Sequence, residues 1–131
     1  MIDIIQKYIE KLLILISSRH IPFDESLHGN LPTAGGVYRV FKRSSSWKES
    51  IYVGKTGNLR DRIYSNLLMG DSQAHTLKRK LIASGGLPNE EAVKRDLKDN
   101  CRVQYLEIAD ENERSLFEHF AISILKPKYN D

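Results

Sequence analysis

The sequence predicts an α+β domain: a small three-stranded antiparallel sheet flanked by helices, with an additional N-terminal helix. Two β-prone segments lie close together in the first half of the chain, and a third lies near residue 105. Apolar residues with helical spacing occur before, between and after these segments. Strands interleaved in this order with helices are typical of an α+β fold, and 131 residues suit one core.

The N-terminal section, residues 1–30, is predicted to be an amphipathic helix followed by a connector. Its apolar residues fall on one helical stripe from about Ile2 to Ser17: Ile5, Ile9, Leu12, Leu13 and Ile16. Residues 18–35 contain two prolines and little periodicity, which indicates an extended connector. The helix either docks on the core or serves in dimerisation, and residues 31–131 form the second predicted unit.

The first two strands are predicted to form a hairpin. Residues 36–41 alternate and are β-prone, residues 43–46 form a polar turn, and residues 50–54 resume a strand. A helix follows from about Leu59, with Asn58 as its N-cap.

Three further helices and one strand complete the prediction. Leu77 and Leu81 indicate a helix that Gly85 and Gly86 end, and Pro88 occupies the first position of the next helix, which ends near residue 99. Residues 102–108 are predicted to form the third strand. A final helix begins at residue 110 and stops before Pro127.

The net charge of +3 is unevenly distributed along the chain. Residues 36–80 carry ten lysines and arginines against three acidic residues, within an otherwise acidic chain. A basic segment of this kind favours one face that binds nucleic acid. The candidate phosphate contacts are Arg39, Lys42, Arg43, Arg60, Lys78, Arg79 and Lys80, with His75 as a further candidate.

Several other classes of protein are disfavoured by the sequence. The single cysteine, Cys101, cannot form an internal disulfide, and the apolar run 12–16 is too short for a signal peptide or a membrane span. We therefore expect a cytoplasmic protein without a membrane partner. Gly54-Lys55-Thr56 is not a Walker A loop, because Glu49 occupies the position of its first glycine.

Five elements in order resemble the GIY-YIG nuclease family. They are Gly36-Val37-Tyr38, Tyr52-Val53-Gly54-Lys55, Asn58-Leu59 with Arg62, Glu118 within a helix, and the ending Pro127-Lys128-Tyr129-Asn130. The likeness runs from about residue 32 to residue 130. Valines replace the isoleucines that name the family, residues 68–100 carry an extra helical insertion, and residues 1–30 have no counterpart.

The resemblance implies a metal-dependent endonuclease that hydrolyses DNA phosphodiester bonds. Glu118 would hold one Mg²⁺ (or Mn²⁺), an ion that keeps most of its water and needs few carboxylates. Tyr38 would be the general base or position the attacking water, with its pKa lowered by Lys55 and Arg62, and Tyr52 would orient the water or hydrogen-bond to Tyr38.

The resemblance also implies roles for three more side chains. The planar guanidinium of Arg62 would bind the phosphate, and Lys55 would add a second positive charge. Asn130 would help to hold the phosphate or the geometry of the site. Which tyrosine takes the proton is left open.

Two functional alternatives remain at this level. One is a catalytically inactive or partner-dependent nucleic-acid-binding module of the same fold. The other is an assembly role, in which the N-terminal helix is the functional element and the core is a scaffold. An active endonuclease would act alone, as a homodimer or with a separate recognition partner. The sequence does not distinguish duplex, branched and single-stranded substrates. The candidate phosphate contacts carry no information on base sequence either.

Overall fold

A computed structural model describes residues 2–44 and 49–130 of the chain. The elements are α1 (Ile2–Ser17), β1 (Ile21–Pro22), α2 (Leu27–Asn30), β2 (Gly36–Lys42), β3 (Ser50–Thr56), a π-helix (Asp61–Leu68), α3 (Thr76–Ala83), α4 (Glu90–Asn100), β4 (Cys101–Glu107) and α5 (Glu111–Leu125). The turn predicted at residues 43–46 lies partly outside the described residues.

The predicted α+β class is confirmed, with one more strand than expected. The sheet has the order β1-β4-β2-β3, and all its neighbouring strands are antiparallel. The three main strands are those that the sequence predicted. The fourth, β1, has two residues in the predicted connector and pairs through Ile21 with Val103 of β4. A strand this short leaves almost no alternating pattern to detect.

Two apolar clusters lie on opposite faces of the sheet. The first packs the face of Tyr38 and Val40 against α2, the π-helix, α3 and α4. The second packs Val37 and Val53 against α1 and α5. Phe23 and Leu27, which follow α1, belong to the first cluster, so the connector contributes to the core of the sheet domain.

Helix α1 is found at its predicted bounds, but only part of the predicted apolar stripe is buried. Leu12 and Leu15 are buried, whereas Ile5, Ile9 and Leu13 are 47%, 45% and 53% exposed. The buried line faces β4 and α5, where the ring of Tyr8 packs against Phe120. Helix α1 is therefore docked on the core through one edge of a broad apolar face. None of the described helices is long and apolar enough to cross a membrane.

The helix starts follow the chemistry of their caps. The side chains of Asn58 and Asp110 accept hydrogen bonds from backbone N–H groups three residues later, as N-caps do. Pro88 was expected in the first turn of α4, but the cap is Asn89, whose side chain accepts from the N–H of Ala92. A capping side chain fixes the first residue of a helix through its hydrogen bond, whereas a proline is only compatible with the first turn.

Candidate active site

Tyr38 and Tyr52 lie on the same face of the sheet. Tyr38 is paired with Gly54 of β3, and Tyr52 with Val40 of β2. Paired residues point to the same side of a sheet, and so do residues two apart on one strand. The two rings are accordingly diagonal neighbours, with centroids 6.2 Å apart. The antiparallel pairing of β2 and β3 thus brings the two sequence motifs together.

Gly54 makes room for this pair of rings. A Cβ atom at Gly54 would lie 2.7 Å from both Cζ and Oη of Tyr38 and 2.9 Å from Cε2 of Tyr52. Side chains do not approach each other so closely, and the Tyr38 ring is fully buried. The glycine of the Tyr-Val-Gly triplet is therefore required by packing under the tyrosines.

His75 holds the hydroxyl of Tyr38. Its Nε2 atom lies 2.6 Å from Tyr38 Oη, while its Nδ1 atom accepts the backbone N–H of Leu77 at 3.0 Å and caps α3. A neutral imidazole carries one proton, so accepting at Nδ1 places that proton on Nε2. Burial, followed by the charge of Arg62, lowers the pKa of His75 to about 3 and keeps the ring neutral. His75 Nε2–H therefore donates to the phenol oxygen.

This position corrects the prediction that His75 lies on the nucleic-acid surface. The side chain is fully buried, and its ring centroid is 5.2 Å from that of Tyr52. Sequence reasoning missed the role of His75 because an isolated histidine carries no spacing motif. The available signal was its place directly before a helical apolar pattern, which is typical of a cap.

Arg62 approaches the same group from the π-helix. Its Nη1 atom donates to the carbonyl oxygen of Ala74 at 3.0 Å, directly before His75. Its positive charge acts on both Tyr38 and His75. The π-helix contains i to i+5 hydrogen bonds, one of which joins the N–H of Met69 to the carbonyl oxygen of Tyr64. Such turns occur often at functional sites.

The electrostatic balance at Tyr38 differs from the expectation that Lys55 and Arg62 lower its pKa. Burial raises the pKa of Tyr38 well above its usual range, and Tyr52 and Glu118 act in the same direction. The charge of Arg62 opposes this shift without reversing it. The metal-free site therefore keeps the Tyr38 phenol protonated at neutral pH.

Glu118 supplies the carboxylate of the group. It is half-buried on α5, and burial raises its pKa, while the positive charge of Lys55 lowers it. The ammonium of Lys55 donates to Ser115 Oγ at 2.7 Å. Among residues 2–44 and 49–130, no group of three or more His, Cys, Asp or Glu side chains could hold a metal ion. A single carboxylate is compatible with a hard cation that retains most of its water, as Mg²⁺ does.

Asn130 binds the backbone of β3. Its Oδ1 atom accepts the N–H of Val53 at 2.8 Å, and its Nδ2 atom donates to the Val53 carbonyl oxygen at 2.9 Å. The backbone N–H groups of Lys128 and Tyr129 donate to the carbonyl oxygens of Ser50 and Ile51. The C-terminal tail therefore pairs with the outer edge of β3 and fixes the strand that carries Tyr52. Of its two expected roles, this geometry supports the structural one.

Solved structures similar to this chain are GIY-YIG N-terminal endonuclease domains of UvrC from Thermotoga maritima. The form bound to its catalytic divalent cation, magnesium, is 20% identical with a TM-score of 0.48, over 82% of this chain and 99% of that one. A tyrosine-to-phenylalanine point mutant bound to its catalytic divalent cation is 21% identical with a TM-score of 0.47, over 82% and 98%. No family model and no curated protein sequence matches the chain.

Two predicted phosphate contacts are corrected by burial. Arg39 is on the sheet face opposite to Tyr38 and donates to Ser50 Oγ and Gln104 Oε1, both at 2.7 Å. Lys78 is 1% exposed, and its ammonium donates to the carbonyl oxygens of residues 68 and 70 at the end of the π-helix. Both cations are bound to protein acceptors inside the fold, so their side chains are not available to a phosphate.

The other predicted contacts are spread over the surface. Lys42 pairs with Asp96 at 3.6 Å, and Arg43 Nε donates to the carbonyl oxygen of Asp99. Lys42 is four residue steps of about 3.3 Å each from Tyr38 along β2, so Lys42 and Arg43 lie at the far end of the strand. The remaining three are Arg60, bonded to the carbonyls of residues 28 and 31, Arg79, bonded to Gln73 and Thr76, and Lys80, bonded to the carbonyl of Tyr129. Their contact with nucleic acid stays a prediction.

Proposed function

We propose that this chain is a divalent-metal-dependent endonuclease of the GIY-YIG family that hydrolyses phosphodiester bonds in DNA. The observation that carries the proposal is the buried hydrogen bond between the hydroxyl of Tyr38 and the neutral imidazole of His75, with Tyr52, Arg62 and Glu118 around it. A buried tyrosine next to a guanidinium and a carboxylate is more than packing requires. Perturbed groups gathered in this way are typical of catalytic sites.

Tyr38 is the proposed acceptor of the proton from the attacking water. Two features favour its phenolate form: the N–H of His75 donates to the oxygen, and Arg62 is positively charged. Burial opposes ionisation in the metal-free protein. The site therefore holds the phenol protonated until added positive charge shifts this balance. Tyr52, as the diagonal neighbour, orients the water.

Arg62 and Glu118 handle the charge of the substrate. The planar guanidinium of Arg62 suits the geometry of two phosphate oxygens, which is why arginine is common at phosphate sites. Glu118 would hold Mg²⁺ (or Mn²⁺), which when bound would neutralise phosphate charge and stabilise the leaving oxygen. Lys55 keeps a positive charge next to Glu118, and Asn130 fixes the strand of Tyr52.

The proposal is tested by cleavage of supercoiled plasmid DNA. Wild-type protein should nick or linearise the plasmid with Mg²⁺ or Mn²⁺ and not with EDTA. Tyr38→Phe and Glu118→Gln should both abolish cutting, whereas Glu111→Gln, an exposed change on the same helix, should not. Metal-independent cutting, or cutting that survives Glu118→Gln, would contradict the proposal. Salt-sensitive binding without cutting on any nucleic acid would favour the alternative, a binding module without catalysis.

A further inference from the structure

A groove lies between α3 and the C-terminal tail, next to the candidate active site. Its volume is about 290 Å³, and it is lined by Lys80, Ser84, Lys128, Tyr129 and Asn130. We call it the tail groove. Asn130 clamps β3 from this side, but the proposed reaction at Tyr38 uses none of the other four residues.

The position of the tail groove is fixed by the strand and the helix that build the active site. Tyr129 N–H donates to the carbonyl oxygen of Ile51 at 2.9 Å, and the Asn130 side chain binds Val53, so the tail flanks Tyr52 on both sides. On α3, Lys80 is five residues beyond the His75 cap, or about 7.5 Å along the helix axis. A strand whose scissile phosphate lies at Tyr38 could therefore place a nearby nucleotide in the groove.

The lining of the tail groove is cationic and aromatic. The ammonium of Lys128 lies 5.5 Å from the centroid of the half-buried Tyr129 ring, and Lys80 Nζ is 2.9 Å from the Tyr129 carbonyl oxygen. Among residues 2–44 and 49–130, no carboxylate side chain lines the groove. An ammonium group binds a phosphate, and a tyrosine ring offers a platform to a base or a sugar.

We propose that the tail groove binds a nucleotide of the strand that is cut, close to the scissile phosphate. Lys128 contacts the phosphate of that nucleotide, and the Tyr129 ring packs against its base. The inference rests on the proposed nuclease function and adds a binding subsite to it. The C-terminal tail then has two roles. It pairs with β3 next to Tyr52, and it contacts the bound DNA strand.

Binding is measured with the full chain carrying Glu118→Gln, so that cleavage does not interfere. Fluorescence anisotropy of a labelled short DNA oligonucleotide gives Kd over a salt series. We expect Lys128→Ala to weaken binding and to reduce the magnitude of the slope of log Kd against log salt by about 1. Lys98→Ala, an exposed lysine on α4, is the matched control and should leave both unchanged.

The aromatic contribution is measured in the same way. Tyr129→Leu should weaken binding by about 5-fold to 100-fold, the range for loss of one stacked base, whereas Tyr129→Phe should not. Circular dichroism shows whether each variant is folded. If Tyr129→Leu does not fold, Lys128→Ala still tests the groove, because Lys128 is exposed. The subsite would be overturned if Lys128→Ala had the affinity and salt slope of wild type and Tyr129→Leu either bound as wild type does or did not fold.

Cleavage of truncated substrates separates this inference from the proposed function. If both are right, wild type loses rate when the nucleotide that reaches the groove is removed, and Lys128→Ala loses less, because only its contact with the base remains. If wild type cuts but shows neither this step nor an effect of Lys128→Ala, the tail groove proposal falls alone. If wild type cuts nothing while binding depends on Lys128, the nuclease proposal falls and the tail groove remains a nucleic-acid site.

Discussion

Replacing Gly54 by alanine is expected to displace the Tyr38 ring from its hydrogen bond. The added Cβ would lie 2.7 Å from Tyr38 Cζ and Oη, whereas ordinary contact begins at 3.4 Å, so the ring must move by about 0.7 Å. The hydrogen bond to His75 is 2.6 Å long and would stretch beyond about 3.2 Å, the upper end of the normal range. Overpacking of a buried site costs about 1–3 kcal/mol. A misplacement of about 1 Å can reduce a rate by about 10²-fold.

The assay combines urea unfolding with single-turnover DNA cleavage in Mg²⁺. Gly57→Ala is the matched control, because a Cβ at Gly57 meets nothing within 4 Å. A second check is Tyr38→Leu, which removes the ring that the new methyl group contacts. In the double variant, Gly54→Ala should cost less stability than it does alone, since neighbouring changes are not additive. Equal stability and activity of Gly54→Ala and Gly57→Ala would refute the packing argument.

Three further predictions concern the neighbours of Tyr38. The pKa of His75 is about 3 in the folded chain and 6.5 in a free side chain, so between these pH values the unfolded chain binds one more proton. The free energy of unfolding should therefore fall as pH decreases through this window, by up to about 1.4 kcal/mol per pH unit. His75→Asn keeps a capping side chain and should flatten this pH dependence in urea titrations. An unchanged slope in that variant would contradict the assignment. Asn130→Ala removes two hydrogen bonds to Val53, so it should lower the free energy of unfolding in urea by about 1–3 kcal/mol and reduce cleavage activity. A stability equal to that of wild type would contradict the role of Asn130 in holding β3. Burial raises the pKa of Glu118, so at neutral pH its charge opposes folding. Glu118→Gln should therefore raise the Tm of the metal-free protein and remove the Tm increase caused by Mg²⁺. A Tm response to Mg²⁺ equal to that of wild type would place the ion elsewhere.

Short-range signals made most of the fold predictable. The alternation in β2 and β3 and the apolar spacing of Leu59, Ile63 and Leu67 depend on neighbours along the chain, and all three leucine and isoleucine side chains are buried. The ordered motifs predicted which side chains meet in space, because antiparallel pairing of two strands fixes the diagonal between Tyr38 and Tyr52.

Long-range packing determined what could not be predicted. Arg39 and Lys78 are charged residues in a basic segment, and only tertiary contacts reveal that each is buried against protein acceptors. The tautomer of His75 depends on its cap at α3, and the contact with Tyr38 depends on the packing of α3 against the sheet. The π-helical turn around Arg62 likewise has no known periodic signature in the sequence, since an α-helix satisfies the same apolar spacing.

The central claim is that Glu118 holds a divalent ion next to Tyr38 and that DNA is cut there. The most direct test is the single-turnover rate of cleavage of a labelled DNA duplex as a function of Mg²⁺ concentration, for wild type and Glu118→Gln. The cleavage rate of wild type should saturate with Mg²⁺ concentration, and Glu118→Gln should not cleave at any Mg²⁺ concentration. Cleavage of DNA by Glu118→Gln at the wild-type rate, with the same Mg²⁺ dependence, would contradict the proposed role of Glu118.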